Sequence, residues 1–341
     1  MTDETLHDHL LLGALPTLMA AFALPEAREH RFLADGLMNL NWRIDTERAS
    51  YAVKRITDVP VEKVRRNLGV LSHLAADGLP VPAALTTPDG TSVVEIDGHH
   101  YCVLPWVDGV HVPGVDLTGE QAHALGVLLA RLHQSLKAHA PGPAPEQPPT
   151  AKVTDPGQAA ITADRLLGLI PAGSADPFDQ AAARALEERK ILLEKHADAR
   201  PTSSVPAGPY GWTHGDFQYR NLLRADGDVV AILDWDRLAV RPYAEEVART
   251  AQVQFGVNGR FDLDRVAAFV SGYCSLIPLT AEELADGVER LWWKRMTDFW
   301  QLEFHYDRGD VSCDDLFLAD EELLLWWTSH QGDVEAAFRA A

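Results

Sequence analysis

The sequence predicts an α+β protein of two lobes, with a β-rich N-terminal lobe followed by a mainly helical C-terminal lobe. Strand patterns dominate before about residue 105, and helical patterns dominate after it. The chain has 341 residues, of which 46% are hydrophobic, so it can bury the cores of two domains. We place the lobes at residues 1–105 and 106–341, joined by a hinge at about 104–109.

The first eighty residues contain one change of pattern and one clear helix. Residues 1–30 are typical of one or two short helices, whereas residues 36–54 favour two strands joined by a turn, because aromatic and β-branched residues recur there. A helix follows, with Asp58 and Pro60 as its N-cap and first turn. Gly78 is the residue expected to end it.

A hairpin and a connector complete the predicted N-terminal lobe. Residues 93–96 and 100–104 have strand patterns, and the Asp97-Gly98 pair between them is typical of a tight hairpin turn. The segment that follows, at 104–109, lies between the last strand and the first long helix. We therefore predict that it is the hinge between the lobes.

The rest of the chain favours helices. Residues 119–137 form a strongly amphipathic pattern, and residues 140–157 are rich in Pro, Gly and Ala, as in a surface loop. Further helical patterns occupy 158–170, 178–197, 244–256, 262–275, 280–306 and 318–339.

Composition excludes several classes of function. The 50 acidic residues outnumber the 30 Lys and Arg and give a net charge of −20, which argues against a nucleic-acid partner. The three cysteines contain no Cys-x-x-Cys pair, so we expect neither a zinc site nor a disulfide framework. The apolar run at 10–24 is broken by Gly13 and Pro16 and lacks preceding basic residues. We therefore expect no signal peptide, no membrane span and a cytoplasmic location.

The most informative segment is 213–236, which reads THGDFQYRNLLRADGDVVAILDWD. Asn221 follows Asp216 by five positions, and Asp234 follows Asn221 by thirteen, inside an apolar strand pattern. This spacing predicts that the three side chains lie on the two arms of one hairpin-like unit.

These three residue types suit phosphoryl transfer from a magnesium nucleotide. Asp216 is placed to orient a hydroxyl group and accept its proton, and Asn221 and Asp234 supply the hard oxygen ligands that Mg²⁺ prefers. A lone Asp would more often be a turn residue, but the joint spacing of all these residues disfavours that alternative.

The motif resembles that of the aminoglycoside phosphotransferase family, which includes type II homoserine kinases, choline kinases and methylthioribose kinases. The resemblance extends from about residue 25 to about residue 335. It implies a two-lobed protein-kinase-like fold, with Asp216 as the catalytic base and Asn221 and Asp234 holding magnesium. After the second Asp the family pattern continues to Pro242, and Glu246 stands where the family usually has Asp.

The resemblance also implies an ATP site, with GTP as an alternative nucleotide. Val53 and Lys54 alternate along a strand pattern, so Lys54 is expected on the face opposite Val53. By the resemblance it would contact the α- and β-phosphates, unless it is an ordinary solvated strand lysine. Asn39 and Asn41 are either phosphate donors or plain turn residues. In the hinge, the Pro105 carbonyl and the Val107 N–H would meet adenine, and the alternative is a simple interlobe linker.

One departure from the family pattern concerns the partner of Lys54. The helix after this lysine usually carries a Glu that pairs with it, and here Asn67 takes that place. Glu62 lies five residues earlier, about 140° around the helix, so it is a poor substitute. Either Asn67 hydrogen-bonds the lysine, or the pair is absent.

The sequence indicates the acceptor-binding residues less clearly. Asp298, Glu303, Asp307 and Asp310 form either an acidic patch for a cationic substrate or an ordinary solvated helix face. Arg220, four residues after the predicted base, is a candidate for contact with the transferred phosphate or an anionic substrate group.

Three functions therefore compete. The first is an antibiotic phosphotransferase acting on an aminoglycoside or a similar hydroxylated antibiotic, with a role in resistance or self-protection. The second is a metabolite kinase for homoserine, choline or a sugar, because the Asn39-x-Asn41-Trp turn and the Leu-Pro-Val-Pro run at 79–82 resemble the homoserine-kinase-like branch of the family. The third is a nucleotide-binding pseudokinase, which the change at Asn67 supports and the intact catalytic triplet disfavours. The pattern does not predict an oligomeric state.

Overall fold

The computed structural model describes residues 11–34, 39–57, 59–140, 142 and 145–339. The chain divides into two compact units. The first unit comprises residues 1–112, 131–144 and 212–239, and the second comprises 113–130, 145–211 and 240–341. The motif at 213–236 thus belongs to the same unit as the N-terminal strands, and the predicted lobe boundary after residue 105 stays a prediction.

A five-stranded antiparallel sheet forms the centre of the first unit, with strand order β1-β2-β3-β5-β4. Its strands are β1 (Ala27–Leu33), β2 (Leu40–Thr46), β3 (Ser50–Ile56), β4 (Val94–Ile96) and β5 (His99–Pro105). Asp97 and Gly98 both have positive φ, as the tight turn between β4 and β5 requires. The predicted hairpin is therefore confirmed.

The sheet has one core face and one face that carries polar groups. Trp42, Ile44 and Val53 are at most 1% exposed and pack in the same core cluster. Because side chains alternate along a strand, the neighbours Asn41 and Lys54 lie on the opposite face, and these two residues are direct partners in the β2–β3 register. The alternation predicted for Val53 and Lys54 is confirmed.

The expectation of helices over residues 1–30 needs correction, and two further expectations fall on residues that the structure does not describe. Helix α1 (Leu15–Ala21) agrees with the expected short helix, but Ala27–Leu33 is strand β1. The strand forms because its edge-to-edge pairing with β2 outweighs the local polar sequence AREHRFL. The turn residues 36–38 and the expected N-cap Asp58 lie outside the described residues, and helix α2 (Val61–Ala76) begins after Pro60.

Helices dominate the rest of the chain. They are α3 (Gly119–His139), α4 (Pro156–Leu167), α5 (Pro177–Lys195), α6 (Tyr243–Phe255), α7 (Leu263–Cys274), α8 (Ala281–Thr297), α9 (Trp300–Arg308), α10 (Asp314–Ser329) and α11 (Gln331–Arg339). Within the described residues, no helix is both long enough and apolar enough to cross a membrane.

Two predicted helices are each divided. The pattern at 280–306 is interrupted at Asp298 and Phe299, where the Asp298 backbone is extended and its side chain accepts from the Trp300 N–H at 3.3 Å. The pattern at 318–339 begins earlier, at Asp314, and is broken at His330. Apolar periodicity continues across both breaks, which is why the sequence alone did not reveal them.

Short strands surround the motif. Strands β6 (Tyr210–Thr213) and β9 (Ala239–Pro242) pair, and β7 (Leu222–Ala225) pairs with β8 (Asp228–Ile232) in an antiparallel hairpin. Asp226 and Gly227 form its two-residue turn, and both have positive φ. Strands β10 (Gly256–Val257) and β11 (Arg260–Phe261) form a further small hairpin in the second unit.

Candidate active site

The loop between β6 and β7 positions Asp216. The buried ring of His214 accepts a hydrogen bond from the Asp216 N–H at Nδ1, at 3.2 Å, and its Nε2 lies 3.0 Å from the Leu233 carbonyl oxygen. Since Nδ1 accepts, the ring proton must sit on Nε2 and donate to Leu233. Gly215 has φ +82°, a conformation that glycine adopts without strain. The His-Gly pair thus ties the loop to the segment that follows β8.

Two side-chain amides hold the Asp216 carboxylate. Asn221 Nδ2 donates to Asp216 Oδ2 at 3.0 Å and to its backbone oxygen at 2.9 Å, and Gln218 Nε2 donates to Oδ2 at 2.8 Å. Asp216 itself is 8% exposed. The structure therefore brings the predicted base and one predicted metal ligand into direct contact, and it adds Gln218, which the sequence analysis missed.

Asp234 lies two residues after β8 in an unusual backbone conformation. Its φ is +59°, in the left-handed region that non-glycine residues seldom adopt, although Asp tolerates it better than most. The hydrogen bond from the Leu233 N–H to the Asn221 carbonyl, at 2.8 Å, extends the hairpin ladder up to this residue. Of the three residues predicted to lie on the two arms of one hairpin, Asn221 and Asp234 do extend the two arms, whereas Asp216 lies in the loop before the hairpin, because β6 ends at Thr213 and β7 begins only at Leu222.

Lys54 contacts two carboxylates of the segment after β8. Its Nζ lies 3.1 Å from Asp234 Oδ1 and 2.6 Å from Asp236 Oδ2. Burial opposes the charge of Lys54, but the two carboxylates outweigh that effect and raise its pKa. Burial likewise opposes ionisation of Asp234, yet the Lys54 ammonium and its hydrogen bond hold the pKa of Asp234 below the usual range. The lysine is thus a partly buried cation, with its side chain 16% exposed, in an ion-paired cluster.

The donor set fits a magnesium ion held partly by nucleotide phosphates. Asn221 directs its amide nitrogen to Asp216, so its Oδ1 is the side-chain atom that can bind a metal, and Asp234 adds a carboxylate that is 43% exposed. No group of three or more His, Cys, Asp or Glu residues suited to a metal occurs within the described part of the chain. Two protein oxygens with phosphates and water completing the shell is the usual arrangement for Mg²⁺.

The two asparagines predicted near the phosphates lie at the start of β2. Asn39 is 7% exposed, donates to Asp236 Oδ2 at 2.9 Å and accepts from the Thr57 N–H at 3.2 Å. Asn41 donates to the Asn39 carbonyl at 3.3 Å. Asn39 therefore belongs to the lysine cluster, and a phosphate contact by either asparagine stays a prediction.

The predicted adenine hinge follows directly from β5. Pro105 ends the strand opposite Tyr51, and the next residue, Trp106, donates its backbone N–H to Ser50 at 3.0 Å. The guanidinium of Arg43 lies 4.7 Å from the centre of the Trp106 ring, which fixes this segment on the sheet. The contacts of Pro105 and Val107 with a nucleotide stay predictions.

Asn67 does not contact the lysine by any hydrogen bond described. Its Nδ2 donates to the Trp235 carbonyl at 2.7 Å, and its Oδ1 accepts from Arg66 at 3.1 Å. Asn67 is 1% exposed. Of the two alternatives, the structure therefore favours an absent pair between Asn67 and the lysine, whereas Asp236 does contact Lys54, at 2.6 Å.

The candidate acceptor residues are divided between the two units and have different partners. Arg220 is exposed and packs on Tyr219 in the first unit, with its Nε 3.1 Å from the phenol oxygen. In the second unit, Arg165 pairs with Asp307 at 2.7 Å and with Glu303 at 3.4 Å, and Asp298 pairs with a neighbouring lysine. These acids are therefore paired with cations of the chain itself.

Comparison with known proteins decides the family. The family model described as "Phosphotransferase enzyme family" (APH) matches residues 29–281, about three quarters of the chain. The chain belongs to this family. It is accordingly a small-molecule phosphotransferase whose acceptor is a hydroxyl group, and the predicted resemblance is confirmed.

Curated relatives of this phosphotransferase include homoserine kinases. The homoserine kinase of Beijerinckia indica is 25% identical over 290 residues, covering 82% of this chain and 81% of the relative. The homoserine kinase of Burkholderia cenocepacia is 26% identical over 303 residues, covering 83% and 84% respectively.

Solved structures show the fold. Spectinomycin phosphotransferase APH(9)-Ia, in complex with ADP and spectinomycin, has a TM-score of 0.61 at 16% identity and covers 96% of this chain and 97% of its own. Amicoumacin kinase hAmiN, in complex with AMP-PNP and Ca²⁺, has a TM-score of 0.60 at 16% identity and covers 94% and 95%. The predicted fold class is therefore confirmed.

Proposed function

We propose that this phosphotransferase transfers the γ-phosphoryl group of Mg-ATP to the hydroxyl of a small amino alcohol or hydroxy amino acid, such as homoserine. The observation that carries the reaction is the clustering of Lys54, Asp216, Asn221 and Asp234 in one compact unit. A phosphoryl transferase needs little covalent chemistry from the protein, so these positioned charges are the parts it requires.

Each residue has a proposed role. Lys54 binds the α- and β-phosphates through its ammonium group, and Asn221 and Asp234 hold magnesium through oxygen atoms. The ion, when bound, neutralises charge on the phosphates. Asp216, oriented by Gln218 and Asn221, aligns the acceptor hydroxyl and takes its proton.

The acceptor is argued from charge and from sequence relatives. A polycationic aminoglycoside would need unpaired acids, but Glu303 and Asp307 already pair with Arg165. The homoserine kinases are similar to this chain over more than four fifths of its length, with like coverage of their own. Both observations favour a small acceptor over a large cationic one.

An acceptor screen tests the proposal. Purified protein is incubated with Mg-ATP and, separately, homoserine, choline, aminopropanol, a sugar and several antibiotics, and ADP release is measured. We expect activity with homoserine or another small amino alcohol. We also expect Asp216→Asn to lower kcat by about 1000-fold or more while leaving the Tm nearly unchanged.

The screen has a control variant and two outcomes that would contradict the proposal. Asp228→Asn removes a carboxylate from the exposed start of β8 and should retain full activity. Unchanged turnover in Asp216→Asn would show that another residue accepts the proton. No ADP release with any acceptor would favour the pseudokinase alternative. Repeating the screen with GTP identifies the preferred nucleotide.

A hydroxylated antibiotic is the second candidate, because the net charge of −20 would attract a cationic acceptor by long-range electrostatics. Under this alternative Asp298, Glu303 and Asp307 would exchange their present cations for substrate amines. Activity confined to aminoglycosides or related antibiotics in the same screen would support it, and with it a role in resistance.

A further inference from the structure

Lys54 has two acidic partners, and they differ in setting. The contact with Asp236 is shorter, at 2.6 Å against 3.1 Å for Asp234. The Asp236 side chain is 14% exposed and that of Asp234 is 43% exposed. The closer and better buried partner is thus the second acid of the Asp-Trp-Asp run, which is not among the site residues predicted from the sequence.

Asn39 also holds the Asp236 carboxylate, at the point where the start of β2 lies beside the end of β3. Asn39, at the start of β2, donates to the same Oδ2 atom that receives Lys54, and its own Oδ1 accepts from the Thr57 N–H just after β3. Lys54 lies on β3, three residues before Thr57, which directly follows the strand. A buried amide therefore fixes the carboxylate relative to the strand that carries the lysine.

Helix α2 supports this arrangement without contributing a charge. Asn67 donates its amide N–H to the carbonyl of Trp235, the residue between Asp234 and Asp236, and its Oδ1 accepts from Arg66. The guanidinium of Arg66 also lies 5.3 Å from the Trp212 ring centre. The helix thus anchors the backbone of the Asp-Trp-Asp run, and the run supplies the acid that the helix lacks.

We propose that Asp236 is the positioning residue for Lys54, replacing a helix-borne acid, with Asn39 and Asn67 fixing its carboxylate and its backbone. The proposal rests on the proposed phosphotransferase function. It also explains why two acids approach one lysine. A carboxylate that is needed to hold a metal ion is a poor sole partner for an ammonium, and Asp236 lets Asp234 serve that other purpose.

A double-mutant cycle tests this role in kinetics. We expect Asp236→Asn to lower kcat/KM for ATP by about 100-fold and to leave KM for the acceptor unchanged, because a misplaced lysine affects the phosphates and not the acceptor. In a Lys54→Ala background the same change should cost less than about threefold, since the lysine it positions is gone. Asp236→Glu, which keeps the charge, should restore part of the loss. Asp228→Asn again serves as the control for the loss of a carboxylate.

Two kinetic results would overturn the proposal. Equal losses in the wild-type and Lys54→Ala backgrounds would show that Asp236 acts independently of the lysine, and an Asp236→Asn enzyme with normal kcat/KM would show that it is not needed. The cycle is repeated on urea midpoints, which need no activity and so separate this proposal from the proposed function. Coupling between residues 54 and 236 in unfolding supports the ion pair, and additive midpoint shifts reject it. If Asp236→Asn fails to fold, Asp236→Glu and Asn39→Ala are carried through the same cycle, and additivity there overturns the proposal.

Discussion

At the scale of single residues, one of the proposed metal ligands has an unusual backbone conformation. Asp234 has φ +59°, which costs a non-glycine residue on the order of 1 kcal/mol. The surrounding contacts compensate, because Lys54 binds its carboxylate and Asn67 binds the carbonyl of the next residue. These contacts therefore stabilise the unusual conformation, and they leave the Asp234 side chain 43% exposed.

Gln218 provides a prediction at the same scale. Its amide donates to Asp216 Oδ2 at 2.8 Å, so Gln218→Ala should lower kcat roughly tenfold, because a hydrogen bond to a charged group contributes about 1.5–3 kcal/mol. Gln218→Glu should be worse, since a second carboxylate would repel the first. Steady-state kinetics with saturating Mg-ATP measures both. Gln158→Ala, at an exposed helix position, is the matched control, and a Gln218→Ala enzyme with unchanged kcat would exclude this orienting role.

At the scale of elements, a buried ion pair joins helices of the second unit. Arg189 of α5 and Glu321 of α10 have side chains only 6% and 10% exposed. Arg189 also donates to the Arg295 and Met296 carbonyls at the end of α8, at 2.6 and 3.0 Å. Burial raises the pKa of Glu321, although the positive charge of Arg189 opposes the rise. One guanidinium therefore serves both a carboxylate and a helix end.

Removing this guanidinium should be costly and pH-dependent. We expect Arg189→Met to lower the free energy of unfolding by about 3–5 kcal/mol at neutral pH, because Glu321 is left as an unpaired buried charge. Burial raises the pKa of Glu321 and Arg189 opposes that rise, so without Arg189 the pKa should rise further. The folded variant then takes up the proton more readily than the parent, and the deficit should shrink as pH falls to about 5. Urea unfolding across this pH range measures the difference. Arg339→Met, which breaks an exposed pair, should cost less than about 1 kcal/mol, and an equally small effect at Arg189 would contradict the prediction.

Two glycines allow α3 and α7 to approach closely. A Cβ atom at Gly126 would lie 2.0 Å from the Phe269 carbonyl oxygen, and one at Gly272 would lie 2.0 Å from that of His123. Gly272→Ala should therefore destabilise the protein by about 3 kcal/mol, because the obstacle is backbone and cannot rotate away. Gly69→Ala in α2, where nothing lies within 4 Å, should instead stabilise it by about 0.5–1 kcal/mol. Thermal and urea unfolding of the two variants provide the comparison, and a stabilised Gly272→Ala protein would refute the close contact.

At the scale of the whole molecule, local patterns predicted more than long-range partners. The alternation of side chains at Lys54 and the hairpin that carries Asn221 and Asp234 could be predicted from the sequence, because both follow from the two-residue period of a strand. The contact between Lys54 and Asp236 could not be predicted in this way, since the two residues are 182 positions apart and meet only through the tertiary structure. The break at Asp298 was hidden for a different reason, since apolar residues keep a helical spacing on both sides of it.

The net charge of −20 supplies a whole-molecule test of the acceptor. A zwitterionic acceptor such as homoserine carries no net charge, so we expect its kcat/KM, measured at saturating Mg-ATP, to change less than about twofold between roughly 20 and 200 mM salt. A polycationic antibiotic would be drawn by the acidic surface, and its kcat/KM should fall about tenfold or more over the same range as screening shortens the reach of those charges. Choline, with a single positive charge, provides an intermediate control. A steep salt dependence for the best acceptor would overturn the small-acceptor proposal and favour a polycationic acceptor instead.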